Sequence, residues 1–370
     1  MNDNALPKKL LIVCSYYHPY ISGLTFVATK IAEYMAAQGY EVTVLCHSHN
    51  PSLKNEEVLN GVRVVRANRL FRINRATFSL DFLLMFWKLN KSADIVNMHL
   101  PLPEAGFLSL ISRKKAIHTY QCDVDNSHFV MRLISKAIDI SSVIAFKRAD
   151  QIVFTSKDYA ENSRLYKHAR SKLVVIPNFC EKQSLGYPRY RNSEGTHFGF
   201  LGRFTSEKGI KVLLEAFKLN KDSSARLIIA GSSVLAGDSV HDFVVQMASS
   251  DSRVLIVSNL SEDDKADFFA SIDVFCFPST NSFEAFGIVQ VEALFNGLPV
   301  IASNLPGVRT IVENKSYGCI VSPGSVSELA AALNREKLNG PSVSDLQEIN
   351  RRYSMESALR SYWEAFDAII

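Results

Sequence analysis

Two glutamates and two cations in the second half of the chain have the types and spacing needed to hold a sugar on a diphosphate. Glu284 and Glu292 flank Gly287, and Arg203 and Lys208 lie upstream of them. Carboxylates accept strong hydrogen bonds from hydroxyl groups, and Arg and Lys neutralise phosphates. By spacing alone, the two glutamates could equally be ordinary charged residues, one at the start of a helix and one on its solvent-facing side. These four residues are therefore candidates for binding a phosphorylated sugar.

The residues between the two glutamates predict a helix start that can bind an anion. A strand is predicted to end at Phe277, and after a polar loop a helix begins near Gly287. The backbone N–H groups of Phe286, Gly287 and Ile288 would point out of this helix, where free donors and the helix dipole favour phosphate. Because Gly287 has no side chain, we expect a ligand to approach the backbone closely there.

The stretch 279–303, STNSFEAFGIVQVEALFNGLPVIAS, resembles the signature of the retaining glycosyltransferases of family 4, which have the GT-B fold. The resemblance implies that Glu284 binds hydroxyls of the donor sugar and that Glu292 binds the ribose of the nucleotide. A second stretch, FGFLGRFTSEKG over 198–209, is similar to the G-R…K-G element of the same family. It implies that Arg203 and Lys208 bind the donor diphosphate.

The first half of the chain carries two shorter stretches that resemble the family. YHPYISGLT resembles its glycine loop, with Gly23 as the only glycine, and implies that Gly23 lies near the donor phosphates. In AIHTYQCD, Gln121 stands where many relatives have a catalytic His, and Asp123 matches the Asp of the family. Gln121 cannot act as a general base, but its amide can bond a hydroxyl. Gln121 and Asp123 join Glu284 as catalytic candidates, and His118 is interpreted as a core histidine.

The elements that must position these residues alternate between strand and helix. Continuous apolar runs are typical of buried parallel strands, and helical spacing separates them. Ten strands are predicted, at 10–14, 40–46, 94–99, 116–120, 151–155, 197–201, 226–230, 253–257, 274–277 and 299–302. The pattern predicts an α/β protein of two doubly wound, Rossmann-like domains, and the GT-B resemblance implies that they face each other across a cleft.

We predict an acceptor-binding domain over 1–180, a linker over 181–196 and a nucleotide-sugar-binding domain over 197–352. The linker has no apolar periodicity and is rich in charges. The last helix, 353–370, is expected to pack back on the first domain, as is usual in this fold.

Composition and charge narrow the class of protein. The chain has 370 residues, of which 47% are hydrophobic and 21% charged, and these fractions exclude a disordered or collagenous protein. Residues 1–180 contain 23 Lys and Arg against 14 Asp and Glu, whereas residues 181–370 contain 18 against 23. The net charge of +4 gives no reason to expect nucleic acid as a partner.

A run of arginines recurs every third residue in the basic half: Arg63, Arg66, Arg69, Arg72 and Arg75. A period of three fits neither one face of a helix nor one face of a strand. The run is interpreted either as a solvated basic loop or as a patch that touches anionic lipid, where each cation contributes about 1 kcal/mol. Because family enzymes often use lipid-linked acceptors, we expect peripheral contact with a membrane.

Neither a metal nor another cofactor is expected. The six cysteines form no C-x-x-C pair, and the only D-x-D, Asp123 to Asp125, lies on the acceptor side. Cationic side chains and the helix dipole would take the role of a metal at the diphosphate. With no apolar stretch long enough to span a bilayer and no signal-peptide core, we expect a cytoplasmic chain with reduced thiols, at most peripheral at the inner face of the membrane.

The leading prediction is a metal-independent, retaining glycosyltransferase. It would move a hexose from a nucleotide-diphosphate donor to a hydroxyl of a glycan or a lipid-linked glycan. The alternatives are a nucleotide-sugar epimerase or hydrolase of the same fold, and an inactive protein that binds nucleotide sugars, which Gln121 supports. A dehydrogenase is disfavoured because no G-x-G-x-x-G follows the first strand.

Overall fold

The chain divides into two compact units, unit 1 (Met1–Asn178 with Glu356–Ile370) and unit 2 (Phe179–Met355). The computed structural model describes residues 6–68, 71–73, 76–124, 129–182, 184–231, 239–258, 260–335 and 338–369, with side chains except at 71–78, 239–241 and 262–263. Asp125, Arg69 and Arg75 therefore lie outside the described residues, as does the side chain of Arg72.

Unit 1 is built on an eight-stranded sheet and a separate two-stranded ribbon. The sheet order is β10-β9-β8-β7-β1-β2-β4-β3, and every pairing is parallel except that of β3 with β4. Its strands are β1 Lys9–Val13, β2 Glu41–His47, β3 Glu56–Leu59, β4 Val62–Ala67, β7 Ile95–Leu100, β8 Lys115–Tyr120, β9 Gln151–Phe154 and β10 Leu173–Val175, and the ribbon consists of β5 Phe71–Ile73 and β6 Ala76–Phe78. Strands β1, β7 and β8 are almost entirely buried, as their continuous apolar runs predict.

Helices cover the sheet of unit 1, and three of them begin at serine caps, Ser22, Ser79 and Ser156. Ser22 begins the first helix, because its Oγ accepts a hydrogen bond from the Thr25 N–H at 3.2 Å. The helices are α1 Gly23–Ala37, α2 Leu80–Ser92, α3 Ala105–Ile111, α4 Phe129–Arg148, α5 Lys157–Asn162 and α6 Tyr166–Ala169. Helix α3 contacts both α2 and α4, so these three helices form one layer.

Two of the five arginines in the run have described side chains, and they lie on opposite faces of β4. Residues three apart in a strand point to opposite faces, so Arg63 is exposed and Arg66 is buried. Arg66 pairs with Glu57 at 2.5 Å and donates to the carbonyls of Lys54 and His18 at 3.0 and 2.9 Å. Its assignment to a lipid-binding patch is wrong, because the guanidinium is buried and already bonded.

Unit 2 is built on a six-stranded, fully parallel sheet in the order β13-β12-β11-β14-β15-β16. The strands are β11 His197–Leu201, β12 Arg226–Gly231, β13 Val254–Ser258, β14 Val274–Phe277, β15 Val300–Ser303 and β16 Gly318–Val321. The helices are α7 Ile210–Lys218, α8 Ser239–Ser249, α9 Glu262–Ala270, α10 Ile288–Phe295, α11 Val326–Leu333 and α12 Val343–Tyr353. All ten strands that the sequence predicts are present, each within one residue of its predicted bounds.

The last helix, α13 Met355–Asp367, belongs to unit 1 from Glu356 onward. Lys8 and Asp367 form an ion pair at 2.6 Å that ties this helix to the residue just before β1. The stretch 181–196 belongs to unit 2, where the Tyr187 N–H donates to Asp267 at 2.7 Å and Arg191 pairs with Asp273 at 2.9 Å. No helix in the described ranges is long and apolar enough to cross a bilayer.

Candidate functional site

The two motifs of unit 2 follow the two strands at which the order of its sheet reverses. The chain starts at β11, moves outward to β12 and β13, and then returns to β14 on the other side of β11. In open parallel sheets ligands bind beyond the carboxyl ends of the strands at this switch point. Arg203 comes two residues after β11, and the loop with Glu284 follows β14.

The two motifs are joined to each other through their backbones. The Thr280 N–H donates to the Glu207 carbonyl at 2.9 Å, which holds the loop after β14 against the turn after β11. Gly209 lies in this contact with a φ of 71°, and a Cβ there would be 1.9 Å from the Pro278 carbonyl oxygen. Only glycine fits both conditions, so the K-G pair of the motif is needed for packing as well as for charge.

Lys208 and Glu284 form the central ion pair of the site. The Lys208 Nζ donates to Glu284 Oε2, and both side chains are 16% exposed. The same ammonium lies 5.4 Å from the centroid of the Phe277 ring, within reach of a cation–π interaction. In the described ranges no carboxylate pairs with Arg203, whose side chain is half-buried. The site thus holds one neutralised and one available cation.

Helix α10 begins directly after this ion pair, and its first amides have no acceptor within the helix. Gly287 is its N-cap, with a φ of 83° and no capping side chain. A Cβ on Gly287 would lie 2.6 Å from the Phe277 ring, so the room at this glycine is occupied by the protein itself. Phe286 is buried and Ile288 half-buried, which leaves the backbone groups as their contribution to a ligand.

Glu292 lies further along α10 and has its own cation. Lys265 on α9 approaches it at 3.7 Å, and sequence reasoning did not single out Lys265. No local signal marks this lysine, because it meets Glu292 only through the packing of two helices. Burial, together with the charge of Glu292, raises the pKa of the neighbouring Cys180 thiol, which therefore stays protonated.

In unit 1, Asp123 lies in a buried hydrogen-bond network. Its Oδ1 accepts from Tyr120 Oη and Ser163 Oγ, both at 2.7 Å, and its N–H donates to Tyr159 Oη at 2.6 Å. Arg164 contributes a backbone N–H at 3.4 Å to Oδ2. These contacts tie the end of β8 to α5 and to the segment that follows it.

Gln121 is buried too, and it meets a histidine that sequence reasoning missed. Its Nε2 lies 3.2 Å from His99 Nδ1, at the adjoining ends of β8 and β7. An amide N–H only donates, so Nδ1 accepts and the ring proton lies on Nε2. Burial lowers the pKa of His99 to about 3, so the ring is neutral. His99 could have been predicted as a site residue, because it is a polar residue near the end of a buried apolar strand.

Gly23 and a buried pair, His47 with Glu104, lie near the ends of the parallel strands of unit 1. Gly23 is exposed at the first turn of α1, directly after the cap at Ser22. His47, at the end of β2, lies 3.4 Å from Glu104, and both side chains are buried. No pattern in the sequence predicts that His47 and Glu104 are close together.

Two family models match the chain and together span most of it. Residues 21–183 match "Glycosyltransferase Family 4", and residues 190–353 match "Glycosyl transferases group 1". Among curated proteins, the O-antigen chain mannosyltransferase C of Escherichia coli is 28% identical over 96% of this chain and 93% of its own length. A phosphatidyl-myo-inositol mannosyltransferase of Mycobacterium leprae is 25% identical over 97% and 96%.

Solved structures share the fold at lower sequence identity. Sucrose-phosphate synthase from Thermosynechococcus elongatus superposes with a TM-score of 0.78 at 18% identity and covers 98% of both chains. Anabaena HepE, solved in complex with UDP-glucose, superposes with a TM-score of 0.76 at 16% identity over 97% of this chain and 99% of its own. With its two Rossmann-like units and both family domains, the chain belongs to the family 4 glycosyltransferases of the GT-B fold.

Proposed function

We propose that this glycosyltransferase is a retaining hexosyltransferase that uses a nucleoside-diphosphate sugar and acts on a glycan or a lipid-linked glycan. The observation that carries the proposal is the contact between Lys208 and Glu284 at the switch point of unit 2. It brings together a cation that can bind phosphate and a carboxylate that can bind a hydroxyl. The relatives named as an O-antigen chain mannosyltransferase and a phosphatidyl-myo-inositol mannosyltransferase support the acceptor class.

Each donor group has a matching residue in unit 2. Arg203, Lys208 and the amides at 286–288 would bind the diphosphate, with the N-terminus of α10 adding its dipole. Glu292 would accept hydrogen bonds from the ribose, and Glu284 from the sugar. Two cations and a helix start can neutralise the leaving diphosphate without a metal ion, so we propose metal-independent transfer.

In the proposed reaction the acceptor oxygen bonds to the anomeric carbon on the face from which the diphosphate departs. The bond from that carbon to the phosphate oxygen breaks, and its electron pair leaves with the diphosphate. The acceptor proton moves to a phosphate oxygen, so no general base is needed where Gln121 replaces histidine. Arg203 and Lys208 stabilise the charge that develops on the leaving group. We propose that Gln121 and Asp123 shape the acceptor side, and that Gly23 lies near the donor phosphates.

We further propose a cytoplasmic enzyme that is peripheral at the membrane. Of the arginine run, Arg63 stays a candidate for contact with anionic lipid, although it pairs with Glu56 at 2.7 Å. Arg69, Arg72 and Arg75 stay predictions, because no side chain among them is described.

Calorimetry with UDP and GDP, followed by product analysis, tests the proposed function. We expect one nucleotide to bind in the presence of EDTA, and sugar transfer only when an acceptor is added. Mannosyl donors are the first to try, given the relatives. Nuclear magnetic resonance of the product gives the anomeric configuration, and inversion would contradict a retaining reaction. Donor turnover without acceptor would indicate an epimerase or hydrolase, and binding without turnover an inactive protein.

A further inference from the structure

Helices α2, α3 and α4 of unit 1 expose apolar side chains where a protein normally presents polar ones. On α2, Leu84 and Trp87 face away from the buried residues Phe82 and Phe86. Six of the exposed apolar side chains on these helices, each between 51% and 63% exposed, are Leu84, Trp87, Phe107, Leu110, Leu133 and Ile140. Contiguous apolar surface of this kind marks an interaction site.

The three helices are fixed to one another, so these side chains belong to one surface. Gly106 allows α3 to approach α4, because a Cβ there would lie 2.8 Å from the Ser141 carbonyl oxygen. The Gly106 N–H also donates to Ser141 Oγ at 2.8 Å. At the other side of α3, Ser112 Oγ donates to Asn90 Oδ1 at 2.9 Å, which holds the end of α2.

Cations surround the apolar side chains, and acids are almost absent. The segments 80–92, 105–115 and 129–148 contain nine Lys and Arg but only two Asp. Both acids are engaged, since Asp81 accepts from the Asn68 N–H at 3.1 Å and Asp139 pairs with Arg164 at 3.0 Å. The exposed cations interleaved with the apolar side chains are Lys88, Lys91, Arg113, Arg132 and Lys136.

We propose that this basic–apolar face, the six apolar side chains with these five cations, docks on a bilayer surface that contains anionic lipid. An apolar stripe flanked by Lys and Arg lies at the boundary of headgroups and acyl chains, and Trp favours that depth. Trp87 has the Lys91 ammonium 3.4 Å from its ring centroid, so the cation would lie at headgroup level beside the indole.

The charges argue against a second copy of the chain as the occupant. A two-fold interface would bring this cationic surface against itself, and like charges in contact are unfavourable. Lysine is also depleted in the buried centre of protein interfaces, whereas this face carries Lys88, Lys91 and Lys136. The residues of the face all belong to unit 1, and none of them is among the arginine run or the proposed donor groups. The inference rests on the proposed peripheral contact with a membrane, to which it gives a surface, and it is tested without the proposed sugar transfer.

Flotation with vesicles of phosphatidylcholine, with or without phosphatidylglycerol and without any donor, tests the proposal. We expect the full chain to float only with phosphatidylglycerol vesicles. The double variant Lys88→Gln and Lys136→Gln should lower partitioning about 25-fold, because each cation near an anionic surface contributes about fivefold. The matched control is Lys157→Gln with Arg360→Gln, two exposed cations on α5 and α13. An equal loss in the control, or no flotation of the wild type, would overturn the proposal.

The apolar part is tested by Leu84→Ser with Leu110→Ser, against Val58→Ser with Leu185→Ser as the control on other surfaces. The first pair should lower partitioning about tenfold and the control should not. If Leu84→Ser with Leu110→Ser instead abolishes a dimer in sedimentation and leaves flotation unchanged, a second copy covers the face and the proposal fails.

Trp87 gives a direct reading of insertion. The chain has only two tryptophans, so Trp363→Phe leaves Trp87 as the single reporter. On phosphatidylglycerol vesicles its emission should shift to the blue and be quenched by brominated acyl chains. Unchanged emission with full flotation would mean that another surface binds the membrane.

Discussion

Lys208 and Glu284 form an ion pair, and in the proposed reaction the donor would compete with it. Each side chain is mostly removed from water, so neither charge is fully hydrated while the pair is formed. A diphosphate competes for the ammonium, and a sugar hydroxyl competes for the carboxylate. If the proposed function holds, the pair keeps both groups in place until the diphosphate and the sugar bind together.

Replacing Glu284 by Gln should lower kcat/KM about 10- to 100-fold while the fold survives, because a hydrogen bond to a charged group contributes about 1.5–3 kcal/mol. Affinity for the nucleoside diphosphate without sugar should stay the same or rise, because Lys208 loses its competing carboxylate. Steady-state kinetics and calorimetry measure the two effects. Glu215→Gln on the exposed side of α7 is the control. Wild-type kcat/KM in Glu284→Gln would remove Glu284 from the site.

His118 should make unit 1 sensitive to acid. It is buried in β8, and burial lowers its pKa to about 4, below the unfolded value of about 6.5. Between pH 6.5 and pH 4 the imidazole of His118 is protonated in the unfolded chain but stays neutral in the folded one. The free energy of unfolding is therefore highest above pH 6.5 and decreases as the pH falls. By pH 5 the loss is about 2 kcal/mol from this histidine.

In His118→Gln, the free energy of unfolding should decrease by about 2 kcal/mol less between pH 7 and pH 5 than in the wild type. Urea unfolding followed by tryptophan fluorescence measures it in unit 1, where Trp87 and Trp363 both lie. His18→Gln is the control, because His18 is exposed. An unchanged pH dependence in His118→Gln would show that His118 does not cause the acid loss.

At the scale of elements, the position of α10 depends on how it starts. Gly287 combines a left-handed backbone with a Phe277 ring 2.6 Å from the place of a Cβ. Gly297, just after the same helix, has a similar φ of 77° but open space around it. Substitution of Gly297 therefore measures the free-energy cost of backbone strain alone, whereas substitution of Gly287 adds the cost of a steric clash.

Gly297→Ala should destabilise unit 2 by about 1–2 kcal/mol, the strain of an L-residue in the left-handed region. Gly287→Ala should cost about 1–3 kcal/mol more, since the ring or the helix start must move. Only Gly287→Ala should weaken diphosphate binding. Hydrogen exchange of β14 and α10 and calorimetry with the nucleotide measure these effects. Equal effects of the two substitutions would contradict the packing role of Gly287.

At the scale of the whole molecule, the chain returns to its first unit at the end. Phe366 is fully buried in unit 1, and its helix neighbour Tyr362 is buried beside it. The two units are therefore not consecutive pieces of sequence, and unit 1 needs α13 as well as residues before Phe179. Truncating α13 would remove core from a sheet that begins more than three hundred residues earlier.

Phe366→Ala should destabilise unit 1 by about 3–5 kcal/mol through the cavity it leaves. Peptide-resolved hydrogen exchange should then be faster in β1 and β8 and unchanged in β11 and β14. Phe200→Ala, fully buried in unit 2, should show the opposite pattern. Faster exchange in β11 and β14 for Phe366→Ala would mean that α13 stabilises unit 2 instead.

The amino-acid sequence alone was enough to predict the fold class, the ten strands and the family. Short stretches of sequence predict these properties: apolar runs of strand length, apolar residues at helical spacing, and the continuous motif 279–303. Local patterns failed for the arginine run, because a strand sends Arg63 and Arg66 to opposite faces whatever their shared charge.

Which side chains contact each other depends on the packing of elements that are distant in sequence. Lys208 reaches Glu284, Gln121 reaches His99 and Glu292 reaches Lys265 because strands or helices distant in sequence lie side by side. A single sequence carries no local record of such neighbours, since residue type states what a side chain can bond and packing selects its partner. For the same reason, the basic–apolar face exists only once three separate helices form one layer.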